Sequence, residues 1–116
     1  VAHGAGCVAV AISDSRVGVD IERADRDFGS VSSRYMSEQE MQMSQDVLWA
    51  AKVWCAKEAL YKLAQREGLD FRSDIHISAI DFAAATIVGR VEDSLVDMQM
   101  LWPDEEHIVV CALARE

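Results

Sequence analysis

Residues 46–67 carry apolar side chains at helical spacing for about six turns, a stretch unmatched elsewhere in the chain. Val47, Leu48, Ala51, Trp54, Cys55, Ala59 and Leu63 recur along this stretch, with Asp46 placed to cap its start and Gly68 to stop it. A helix of this length needs a broad apolar surface to lie on. Strand-like segments on both sides supply it. Residues 7–13 (CVAVAIS) and 17–22 (VGVDIE) precede the helix, and the turn signal Asp14-Ser15 joins them as a hairpin. A short helical piece is predicted over 31–36, and the capping box Ser37…Glu40 starts another helix at 38. After the long helix, 75–80, 85–92, 95–102 and 107–114 read as strands, with Pro103-Asp104 at the last turn. A hairpin, then helices, then a meander predicts an α+β fold, an antiparallel sheet packed on one long helix, in a single domain over 1–116.

Composition narrows the function classes. The chain has 116 residues, enough for one core, and 51% hydrophobic with 27% charged residues is a soluble globular balance. It shows no internal repeat, no apolar run long enough to span a bilayer and no signal-peptide pattern. Its opening at Val1 rather than Met reads as a processed product, a trimmed chain or a piece of something longer. A net charge of −9 argues against nucleic acid as a general partner, because a phosphate backbone needs a basic face. Cys7, Cys55 and Cys111 lie far apart with no paired spacing, which reads as free thiols in a reducing, cytoplasmic compartment.

Two segments carry chemistry. Strand alternation sends Val17, Val19 and Ile21 to one face and Gly18, Asp20 and Glu22 to the other. Acids held that close repel unless a cation sits between them, and an all-oxygen pair suits magnesium; a solvated acidic pair is the alternative. On the helix, Trp54, Glu58 and Lys62 stack at i, i+4 and i+8, with Lys57 on a neighbouring face. Taken alone, Glu58 and Lys62 could be an exposed helix pair, with Trp54 in the core. If the helix crosses the strand, Glu58 adds a carboxylate to Asp20 and Glu22, and the lysines stand ready for phosphate.

The runs Val17-Gly18-Val19-Asp20-Ile21-Glu22 and Trp54-Cys55-Ala56-Lys57-Glu58-Ala59-Leu60-Tyr61-Lys62 resemble the two signature motifs of the 4′-phosphopantetheinyl transferases. The resemblance covers roughly residues 1–80 and is to the C-terminal, magnesium-binding half of the larger, pseudo-dimeric type. It implies transfer of 4′-phosphopantetheine from coenzyme A to a serine of an apo acyl or peptidyl carrier protein. It implies Asp20, Glu22 and Glu58 as magnesium ligands, Lys57 and Lys62 at the phosphates, and Glu58, directly or through water, as the base for the serine proton, with a metal-bound water as the alternative. Lys62 would help 3′,5′-ADP depart, and Trp54 would anchor the helix. His3, in Ala2-His3-Gly4, stands in register with a family histidine that contacts a coenzyme A phosphate, although the hydroxyl residues flanking that histidine are missing here. His76 and His107 read as structural. Arg16, Arg23, Arg26, Arg34 and Lys52 are candidates for docking an acidic carrier, or else solvated cations. Because the resemblance is to one half only, self-association into a homo-oligomer or pairing with a missing N-terminal half is expected. The alternative function is a non-catalytic relative that binds coenzyme A or carrier protein, or needs a partner half.

Overall fold

The computed structural model describes the backbone of residues 2–4 and 7–9, and residues 16–115 in full. Strands β1 (Ala2–Gly4) and β2 (Cys7–Ala9) form a small antiparallel pair. Then come β3 (Val17–Arg23), a 3-10 turn (Gly29–Arg34), α1 (Glu38–Gln42) and α2 (Trp49–Ala64). Strands β4 (Ile75–Asp81), β5 (Thr86–Val91), β6 (Ser94–Leu101) and β7 (His107–Ala114) follow as a meander, within 1–2 residues of the sequence expectation. The main sheet has the order β3-β7-β6-β5-β4, all pairs antiparallel, and α2 lies across one face. The α+β class is as expected.

One pairing differs. The predicted hairpin of 7–13 with 17–22 is not what the described residues form: β2 pairs with β1, and β3 pairs with β7 along its full length, Val17 opposite Leu113 through Arg23 opposite His107. A local turn signal says nothing about a partner some ninety residues downstream, and that partner offers a complete apolar strand. The rest of the segment 7–13 and the Asp14-Ser15 turn lie outside the described residues, as do the side chains of His3 and Cys7.

Leu60, Leu63, Val53 and Ala56 of α2 pack fully buried onto Ile75, Ile87, Val96, Ile108 and Val110 of the sheet. Gly18 lets this layer close. A Cβ there would lie 2.0 Å from the Ala59 carbonyl oxygen and 2.8 Å from the Leu63 nitrogen, so only glycine lets α2 touch β3. The helix starts at Trp49, later than expected: Asp46 accepts the Leu48 N–H at 3.0 Å and pairs with Lys52, holding the entry turn in place of a side-chain cap. Its last residue is Ala64, with Gln65 left-handed at φ 54°; Gly68 serves the following turn instead. The capping box of α1 forms as expected. On the other sheet face Val19, Ile21 and Val109 make a smaller apolar cluster.

Candidate active site

The alternation of β3 turns Gly18, Asp20 and Glu22 toward α2, and the helix supplies a partner for each acid. Lys62 Nζ donates to Asp20 Oδ1 at 2.9 Å and to the Val19 carbonyl at 3.1 Å. Trp54 Nε1 donates to Glu22 Oε1 at 3.1 Å. Trp54 therefore orients Glu22 as well as anchoring the helix. Lys62 thus reaches across to the strand acid as well as offsetting the charge of Glu58 on its own helix. Arg26, just beyond the strand, donates to Glu22 Oε2 at 2.8 Å.

Asp20 is only 4% exposed. Its Oδ2 is buried and without a hydrogen-bond partner, a costly state for a charged group. The electrostatics follow from this crowding. Burial raises the Asp20 carboxyl and the nearby charge of Glu58 adds to it, while Lys62 opposes both. Glu22 is pushed up to about 7, first by burial and then by Asp20, with Trp54 and Arg26 working the other way. Burial raises Glu58 too, and Glu22 adds to it, against Lys62. Asp20 thus senses Glu58 and Glu58 senses Glu22 across the gap between strand and helix, while Glu22 senses Asp20 along the strand.

An all-oxygen donor set with one buried, unpaired carboxylate oxygen fits a hard divalent cation. As they stand, though, no three His, Cys, Asp or Glu side chains among the described residues are arranged to hold a metal ion. Lys62 and Arg26 lie on carboxylate oxygens that a cation would share.

Lys57 goes elsewhere. It is fully buried, and its ammonium donates to Glu40 Oε1 at 2.8 Å and to the carbonyls of Tyr35 at 2.7 Å and Phe71 at 2.5 Å. With its donors so engaged inside the core, it does not join the acids in the gap between β3 and α2. Glu40 answers it, accepting also from Ser37 N at 2.9 Å and Ile77 N at 2.7 Å. The sequence shows Glu40 only as a capping residue. Arg26 as a partner of Glu22 was equally hidden, since a strand-to-loop segment has no fixed side-chain spacing.

His3 sits on β1 opposite Val8, and its side chain lies outside the described residues. His107 is buried and bonds Asp104 through Nδ1 at 2.8 Å, in keeping with a structural role. Of the candidate docking cations, Arg23 pairs with Asp25 and Glu106, Arg26 with Glu22 and Lys52 with Asp46. Arg34 rims an aromatic slot of about 290 Å³ lined by Val31, Tyr35, Trp54 and Phe71.

A family model described as the 4′-phosphopantetheinyl transferase superfamily matches residues 16–111. The chain belongs to this family. A search of curated proteins found no significant match. In this 4′-phosphopantetheinyl transferase-family chain, the matched span holds β3, α2 and the main sheet up to Cys111 of β7, so the acids, Trp54 and Lys62 all fall inside it. Among its described residues no helix is long and apolar enough to cross a membrane.

Proposed function

We propose that this chain transfers 4′-phosphopantetheine from coenzyme A to a serine of an apo acyl or peptidyl carrier protein, with magnesium, in the cytoplasm. One observation carries the proposal: α2 lays Lys62 on Asp20 and Trp54 on Glu22, bringing the helix acid Glu58 into the field of both strand acids. Asp20, Glu22 and Glu58 would hold the metal, for which the unpaired Asp20 Oδ2 is the ready ligand. When bound, the metal supplies neutralising charge to the diphosphate. Lys62, already at the mouth of the gap, binds the phosphate oxygens and offsets the charge that builds on departing 3′,5′-ADP. Glu58 takes the serine proton, and its raised affinity for protons suits it to that task. The serine oxygen bonds to the phosphorus bearing the pantetheine arm as the P–O bond to 3′,5′-ADP breaks, with position and charge lowering the barrier. His3 remains a proposed phosphate contact, and Lys57 supports α2 from within.

A second function is favoured by a specific observation: Arg26 holds Glu22, and among the described residues no three His, Cys, Asp or Glu side chains are arranged to hold a metal ion. That suits a chain that binds coenzyme A or carrier protein without transfer, or waits for a partner half. Incubation with coenzyme A, magnesium and apo carrier, read by mass, separates the two. A carrier that gains the arm, and fails to with Glu58→Ala, supports transfer; coenzyme A binding without mass gain supports the second function.

A further inference from the structure

We propose that Arg26 is the resident counter-ion of Glu22, released when the site is loaded with a divalent cation, and that the freed guanidinium then grips an oxyanion of the phosphate-bearing substrate. This rests on the metal and diphosphate site proposed above. The observation behind it is the unequal way in which the two strand acids are held. Asp20 is held by Lys62, which is tied down a second time by the Val19 carbonyl. Glu22 is held by Arg26 at 2.8 Å, through a guanidinium whose side chain is 58% exposed while Glu22 is only 15% exposed. The same guanidinium lies 4.9 Å from the centre of the Phe28 ring, and Phe28 is itself buried. The ring keeps the arginine at the mouth of the site while its head is free to change partner.

The charges make that exchange favourable. Asp20, Glu22 and Glu58 face two cations, Lys62 and Arg26, so the metal-free group is already close to balanced. On metal loading, the positive guanidinium is no longer needed at Glu22 and is repelled from it. A guanidinium fork matches paired phosphate oxygens, so an anionic substrate gives Arg26 its new partner. Metal and phosphate binding are then linked, each strengthening the other by the same factor.

The test is titration of Mn2+, as a visible substitute for magnesium, into the full chain with and without inorganic pyrophosphate. For Arg26→Gln, Mn2+ alone binds about two- to fivefold tighter than to the wild type, as expected for removing a competing, part-exposed ion pair. The gain in Mn2+ affinity brought by pyrophosphate shrinks by a similar factor. Arg26→Lys, which keeps charge without the fork, falls between and covers the case of a glutamine variant that does not fold. Unchanged or weaker Mn2+ binding by folded Arg26→Gln or Arg26→Lys overturns the role of Arg26. Wild-type chain that binds no Mn2+, or binds it as well after Asp20→Asn, overturns the metal site itself and the role of Arg26 with it, so the two failures are told apart.

Discussion

At the scale of residues, Asp20 and Glu22 share one strand face, and Asp20 makes Glu22 harder to ionise. Glu22 has its proton affinity raised from 4.5 to about 7, mainly by burial and next by Asp20. Between those two pH values the folded protein keeps a proton that the unfolded chain has released. Stability therefore falls as pH rises from 4.5 to about 7 and levels off above it. The acids with lowered values, Asp25, Asp46, Asp70, Asp97 and Asp104, act below this window and do not mask it. Thermal melts across that range in chelator should show the decline, and Glu22→Gln should flatten it; a rise in stability with pH would contradict the assignment. At Glu58 the prediction concerns rate. Glu58→Gln keeps the shape and removes the proton acceptor, so transfer should drop by about a hundredfold or more with the melting temperature held. A variant that turns over normally would remove Glu58 from the base role.

At the scale of elements, the contact of α2 with β3 makes the site, and Gly18 permits it. An alanine there would put its Cβ into the Ala59 carbonyl, a backbone atom that cannot swing aside. Gly18→Ala should cost about 1–3 kcal/mol or more by urea unfolding and should weaken transfer as well, since Lys62 and Glu58 move with the helix. Unchanged stability would show that the layer is looser than described. The Glu40–Lys57 pair locks α1, α2 and β4 together. Lys57→Met alone leaves a buried carboxylate unpaired and should cost about 3–5 kcal/mol, much of it recovered in Lys57→Met with Glu40→Gln. Strands β4 to β7 were legible in the sequence because alternating residues and Pro103-Asp104 mark them locally, and the acids of β3 were legible from period-2 spacing. The partner of β3 was not legible, because Val17–Arg23 meets His107–Ala114 only through the long-range closure of the sheet. Nor was the fate of Lys57: periodicity gives the direction of its Cα–Cβ bond, but the acceptors at its tip come from Tyr35, Glu40 and Phe71 on three other segments.

Over the whole molecule, a chain of net charge −9 brings Asp20, Glu22 and Glu58 into one another's field, and among the described residues Lys62 and Arg26 are the cations paired to the two strand acids. The net negative charge gives the molecule no general attraction for polyanions, so a diphosphate needs a local cationic arrangement such as this one. The family assignment covers the part of the chain that builds the gap, residues 16–111. The central claim is that strand and helix acids together hold a divalent ion beside Lys62. Crystals of the chain soaked in Mn2+ and measured for anomalous scattering test it most directly. The account predicts a single strong peak within ligand distance of the Asp20, Glu22 and Glu58 carboxylates, with Arg26 moved off Glu22. No peak there, or a peak bound to other residues with Asp20 Oδ2 still unpaired, would contradict it.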